Sequence, residues 1–321
     1  KRFSKIMSNL QLAIIGFGNM GKIHYKAVSK NTLCKNPKVV DINQEIQSEF
    51  EDLDFHHNFE DFVSGNIDTI DGAIISTPSS LHLEHAEPFI NRGIPLLIEK
   101  PLTSDYSSDQ ELFKLARKNN SFLKCGLIEL YNPIIEELSN TNYEDLKFVH
   151  FKRHSPKTSE SRKLENIILD LTLHDISIIY KVFKPKNIKI IGSELNYKND
   201  IAESAQILLK VDDSYSIFIS SSRQDQEKIR TVEIVDENIT YQCDLKNKFY
   251  ETKQNGNISS INSKSITESN ILNKVDMLDK PETAELQIQS FVNSILKNEE
   301  DFQSIEIAEK THNLAYEILN F

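Results

Sequence analysis

The sequence has no tryptophan, only nine glycines and nine prolines, and three cysteines in 321 residues. Cys34, Cys125 and Cys243 are odd in number and far apart, which argues against a disulfide framework and a cysteine-built zinc site. They fit isolated reduced thiols in a cytoplasmic protein. No apolar run approaches the roughly 18 to 20 residues that a membrane span needs. Positive charge is also short: 37 Lys and Arg stand against 48 Asp and Glu, a net charge of −11. That balance argues against a nucleic-acid surface but leaves room for a local cationic site that takes a small anion. The basic start, Lys1 to Ile6, is followed by an apolar run too short for a signal peptide, and the residues ahead of Met7 read as an extension.

Because glycine is scarce, its clustering carries information. Three of the nine fall in Gly16-Phe17-Gly18-Asn19-Met20-Gly21, directly after the apolar run Leu12 to Ile15 and at the head of a helix-compatible segment, Met20 to Ser29. Strand, glycine turn and helix in that order are the context of a dinucleotide-binding fingerprint. Gly16 allows the tight turn, Gly18 lets backbone approach a pyrophosphate, and Gly21 permits close helix–strand packing. Asp41 closes a second strand at Val39-Val40, 23 positions past Gly18, about where an acid binds the adenosine ribose hydroxyls. A carboxylate there repels a 2′-phosphate and favours NAD over NADP. The plainer alternative is a turn aspartate at a strand end.

Ile94 to Ile98 is a short apolar run that stops at Glu99-Lys100-Pro101. In an open α/β sheet the carboxyl end of such a strand is the ligand-binding rim, so Lys100 points at a cleft. Taken alone, Lys100 reads first as an ordinary solvated lysine. Asp71 to Ser76 is another buried strand, followed by Thr77-Pro78-Ser79-Ser80 and a helix in which His82 and His85 are three apart. With no third ligand at a suggestive spacing, no metal site is expected there, and adjacent His56 and His57 point to opposite strand faces. A helix over 108 to 119 and a strand from Phe122 to Gly126 complete the rhythm of a doubly wound parallel sheet.

From Leu146 onward, alternating runs at 148–153, 188–195, 205–211, 215–220, 231–235 and 239–245 predict a mostly antiparallel sheet. The expected domains are residues 1–125 and 126–321. Residues 251 to 280, rich in Asn, Ser and Lys, carry only weak strand signals, and amphipathic helices follow at Ala284 to Lys297 and Ile305 to Leu319. One helix interrupts the strands, Asn166 to Phe183, with Asp170 and His174 four apart and therefore on one face. That pair reads either as a structural ion pair or hydrogen bond, or as a proton-transfer set.

Together these residues resemble the Gfo/Idh/MocA family of NAD(P)-dependent oxidoreductases, through GFGNMGKIH at 16–24, TPSSLH at 77–82, LLIEKPL at 96–102, YNP at 131–133 and LDLTLHD at 169–175. The resemblance implies a Rossmann domain followed by an α+β domain with a large, open, mostly antiparallel sheet. It implies Lys100, Asp170 and His174 as catalytic positions, and Glu99 with Thr77, Pro78 and His82 on the nicotinamide side. The glycine loop, including Phe17, Asn19 and Met20, would hold the cofactor. It further implies a homodimer or homotetramer through the open sheet face. A narrower resemblance, through Arg153-His154-Ser155-Pro156, Arg162 and ILDLTLHDI at 168–176, is to short members that include nucleotide-sugar 3-dehydrogenases. Tyr131, Asn132, Arg153 and Arg162 are the candidate substrate contacts. Ser177 departs from many members, which carry a second aspartate there. The expected activity is hydride transfer between NAD and a secondary alcohol of a sugar. The alternatives are a non-catalytic NAD-dependent sensor or co-repressor, and a glycosidase with an internal redox cycle.

Overall fold

The structure, a computed structural model, describes residues 9–50, 53–156, 165–254, 271–297 and 302–321. Its first half alternates strands and helices: β1 (Leu12–Ile15), α1 (Asn19–Ser29), β2 (Lys38–Val40), α2 (Ile46–Glu49), β3 (Asp54–His56), α3 (Phe59–Asn66), β4 (Gly72–Ile75), α4 (His82–Ile90), β5 (Leu96–Ile98), α5 (Tyr106–Lys118) and β6 (Leu123–Cys125). Next come α6 (Pro133–Asn140), β7 (Leu146–His154), α7 (Leu173–Val182), β8 (Ile188–Lys198), β9 (Ile201–Val211), β10 (Tyr215–Ser222), β11 (Ile229–Asp236), β12 (Ile239–Asp244), β13 (Phe249–Gln254) and β14 (Ile271–Asp276). Helices α8 (Thr283–Lys297) and α9 (Phe302–Asn320) close the chain.

Two compact units result: Lys1–Tyr131 with Pro281–Asn313, and Asn132–Lys280 with Leu314–Phe321. In the first, six parallel strands are ordered β3-β2-β1-β4-β5-β6, and β1, β4 and β5 are buried on both faces, which is why they read as unbroken apolar runs. Asn58 and Asp105 cap α3 and α5 by accepting the N–H of Asp61 and Ser108. Residues 281–313 group with the first unit. On α8, Ala284, Ile288, Phe291 and Val292 join Leu12, Ile14 and Val28 in one core. Gly72 admits that helix: a Cβ there would lie 2.7 Å from Ile295 Cδ1. An amphipathic helix has to bury its stripe, but the stripe does not say against which sheet.

In the second unit eight strands are ordered β14-β13-β12-β11-β7-β10-β9-β8, antiparallel except for the parallel neighbours β7 and β10. Along β7 the buried residues Val149, Phe151 and Arg153 alternate with half-buried Phe148, His150 and Lys152. This period of two fixes which face is covered. β13 and β14 occupy parts of the stretch with weak strand signals; residues 255–270 lie outside the described residues. The expected helix over Asn166 to Phe183 is present, beginning as a π turn, Ile168–Thr172, that runs into α7.

Candidate active site

Parallel strands bring their carboxyl ends to one edge of the sheet. Four segments leave that edge together: Gly16 after β1, Asp41 after β2, Ser76 to Pro78 after β4, and Glu99-Lys100 after β5. The strand order reverses between β1 and β4, so their ends border the crevice in which open α/β sheets bind ligands.

The three glycines of the loop serve three different purposes. Gly16 has φ +92°, and a Cβ on it would lie 2.7 Å from backbone atoms of Ser76 and Thr77. At Gly21 a Cβ would come within 2.2 Å of the Gly16 carbonyl oxygen. At Gly18 a Cβ would meet no protein atom within 4 Å, and Gly18 and Asn19 are exposed. There glycine keeps space open over the start of α1, which has neither a side-chain cap nor an acidic residue in its first turn. The first N–H groups of α1 are thus disposed to receive an anion such as a pyrophosphate. Met20, in that first turn, is half-buried.

Asp41 stabilises the turn from the next strand: Oδ2 accepts Phe17 N–H at 2.6 Å and Oδ1 accepts Asn43 N–H at 2.8 Å. The Phe17 ring is buried edge-on against Tyr25 and Phe50, at 5.5 and 5.3 Å, so Phe17 serves the loop through its backbone. From β4, Ser76 Oγ donates to the Gly16 carbonyl at 2.8 Å. Thr77 Oγ1 lies 3.0 Å from His85 Nδ1, and Pro78 is exposed. Burial holds the His85 imidazole below its ordinary pKa. His82 was expected to face the cofactor. It is buried, with Nε2 2.8 Å from the Thr77 carbonyl oxygen and Nδ1 3.0 Å from that of Leu102, and a neutral imidazole, with one N–H, donates to one of the two.

Glu99 is buried beside Gly126, where a Cβ would fall 2.8 Å from its Cα and carboxyl group. Its Oε1 lies 2.7 Å from His24 Nε2, and its Oε2 accepts Lys100 N–H at 3.2 Å. Lys100 is half-buried and its peptide bond to Pro101 is cis. His24 was missed as a site residue, although it lies with Gly21, Ala27 and Val28 on the buried face of α1. A polar residue at that spacing was the available signal. Among the described residues no group of three or more His, Cys, Asp and Glu could hold a metal ion. The three cysteines are free thiols, and burial pushes Cys34 to about 11 and Cys243 to about 12.

In the second unit the π turn and α7 carry Asp170 and His174. Asp170 Oδ2 accepts from Arg223 Nη2 at 2.8 Å, and the same Nη2 donates to the Glu165 carbonyl at 2.6 Å. His174 is buried at the start of α7, where Ser177 Oγ donates back to its carbonyl at 2.6 Å. Arg153 was expected to meet a substrate anion. Its Nε donates to Asp175 Oδ1 at 2.8 Å, with both side chains 2% exposed, so the carboxylate it meets is this chain's own. Asn132 caps α6 through Ile134 N–H at 3.1 Å and donates to the Leu245 carbonyl at 3.0 Å. In the first unit, the ring of Tyr131 lies 5.9 Å from the Lys124 ammonium. Arg162 lies outside the described residues. Neither spacing nor composition pointed to Arg223.

A doubly wound sheet whose first turn leaves an uncapped helix start open above a glycine defines an NAD-binding Rossmann domain. Residues 10–127 match the model of the Gfo/Idh/MocA oxidoreductase family, described as having an NAD-binding Rossmann fold. A UDP-N-acetylglucosamine 3-dehydrogenase of Acidithiobacillus ferrooxidans is 24% identical over 233 residues, 71% of this chain and 72% of the relative. A glucose-6-phosphate 3-dehydrogenase of Bacillus subtilis is 25% identical over 225 residues, 65% of this chain and 63% of the relative. The solved structure of the Acidithiobacillus enzyme superposes with a TM-score of 0.79, covering 97% of each chain at 20% identity, and shares the fold.

Proposed function

We propose that this protein is an NAD-dependent dehydrogenase that oxidises a secondary alcohol of a phosphate-bearing sugar, at position 3 of a nucleotide-linked sugar. One observation carries the reading: open space above Gly18, the uncapped start of α1, Asp41 and Lys100 all belong to one rim of the parallel sheet. NAD, when bound, supplies the hydride acceptor. The N–H groups at the head of α1 receive its pyrophosphate, and Asp41 keeps a free lone pair on each oxygen for ribose hydroxyls while disfavouring a 2′-phosphate. His174 takes the hydroxyl proton as general base. Asp170, with Arg223, sets the charge around it, and the Lys100 ammonium polarises the developing alkoxide. The two relatives named above act, by their names, on sugars that share a phosphate and a reacting position 3. Assembly as a dimer or tetramer through the open face of the second sheet belongs to the same proposal.

The test is to incubate the protein with NAD and, separately, UDP-N-acetylglucosamine, glucose 6-phosphate and inositol, each deuterated at the reacting carbon. NADH carrying deuterium from position 3 supports the reading. NAD binding with no reduction by any sugar points to a sensor, and cleavage of a glycoside without net NADH points to an internal redox cycle.

A further inference from the structure

We propose that His312 is a positioning residue for Lys100: its buried imidazole takes the Leu102 N–H two residues beyond the amine, and His82 flanks the carbonyl of the same residue. The inference deepens the reading above and rests on Lys100 being catalytic.

His312 lies on the part of α9 that belongs to the first unit. Leu102 N–H donates to His312 Nε2 at 3.1 Å, and His312 Nδ1 lies 2.7 Å from the Ala308 carbonyl one turn back. A carbonyl oxygen facing Nδ1 requires a proton there, and an N–H facing Nε2 requires a lone pair. The two contacts therefore fix a single neutral tautomer. Burial favours the same form: it lowers the imidazole pKa, the Lys100 ammonium adds to that effect, and the Asp109 carboxyl opposes it. At the carbonyl of the same residue, His82 Nδ1 lies 3.0 Å from the Leu102 oxygen. The next residue is held as well, since Thr103 Oγ1 contacts Asp109 Oδ1 at 2.7 Å and the Asp105 carbonyl at 2.9 Å.

The segment after Lys100 follows a short buried strand and precedes α5, and its own main chain supplies no partner for Leu102 N–H. The acceptor comes from 210 positions away, on a helix that a glance at the glycine loop or the Glu-Lys-Pro element would never include. A side-chain acceptor from a separate element restrains the backbone at a point, where a ladder bond would let neighbouring strands shift together. Placement matters at this position, since a displacement of about 1 Å at a reacting group can cost on the order of 100-fold in rate.

The test compares the full-length protein with His312→Leu, which removes the acceptor, and His312→Gln, whose Oε1 can accept in place of Nε2. Three quantities are read: the NADH dissociation constant, kcat and KM with the sugar that the wild type oxidises, and the pH profile of Lys100 acetylation by acetic anhydride, followed by peptide mass spectrometry. The proposal expects kcat to fall roughly 10- to 100-fold in His312→Leu with NADH affinity kept, a displaced Lys100 acetylation profile, and recovery of both in His312→Gln. An acetylation profile in His312→Leu that overlays the wild type overturns it, with or without a known substrate. If the leucine variant does not fold, His312→Asn, whose amide reaches only the Nδ1 position, takes its place against His312→Gln, and equal profiles in those two overturn the proposal. Lys100→Met separates the two levels: unchanged kcat there rejects the catalytic role of Lys100, whereas a loss there beside an unaltered His312→Leu rejects only the positioning.

Discussion

Gly16 and Gly18 stand two residues apart and should respond differently to the same methyl group. Gly16→Ala forces a side chain into φ +92° and against the Ser76–Thr77 backbone, so it should cost about 1 to 3 kcal/mol of stability, read as a lower thermal midpoint. Gly18→Ala meets nothing in the protein, so the midpoint should hold while NADH affinity, followed by fluorescence titration, falls. At Asp41, replacement by serine should raise affinity for NADPH relative to NADH, and titration of both cofactors checks it. These residues were legible because their meaning is local: glycine spacing, a strand end, an acid 23 positions on. His24, Arg223 and His312 were not, because their partners Glu99, Asp170 and Leu102 lie 75, 53 and 210 positions away. Only the folded chain brings such pairs together.

Among the elements, the strands of the parallel sheet were readable from their unbroken apolar runs, and those of the second sheet from alternation. The turn that carries Asp170 was not. Its apolar pattern suits an ordinary α-helix, and the wide π geometry over Ile168–Thr172 follows from packing: Thr172 Oγ1 donates to Ser221 Oγ at 2.8 Å on β10. Wide turns of this kind often occur at functional sites. The amphipathic stripe of α8 was visible too, whereas its destination in the first unit depended on the space at Gly72. The contact that locks α7 onto β7 is the buried Arg153–Asp175 pair. Arg153→Met removes the guanidinium and leaves the carboxylate, which should cost about 3 to 5 kcal/mol and lower the denaturation midpoint in urea. If Arg153 instead met a substrate, stability would stay unchanged and KM would rise.

For the molecule as a whole, histidine burial sets an acid limit. His85, His150 and His312 all titrate below the ordinary 6.5 because burial disfavours their charged form. The unfolded chain takes up these protons first as pH falls, so stability is complete above 6.5 and declines below it. Chemical denaturation at stepwise lower pH should show that decline, shallower in His312→Gln, which has one fewer such group. No helix among the described residues is long and apolar enough to cross a membrane. The proposed chemistry assigns the hydroxyl proton to the His174 imidazole and stabilisation of the developing alkoxide to the Lys100 ammonium. The direct measurement is kcat for NADH formation from the best sugar substrate in Lys100→Met and in His174→Ala. The account predicts a fall of about 10²- to 10⁴-fold in each with NADH affinity retained, and turnover close to wild type in either variant would contradict it.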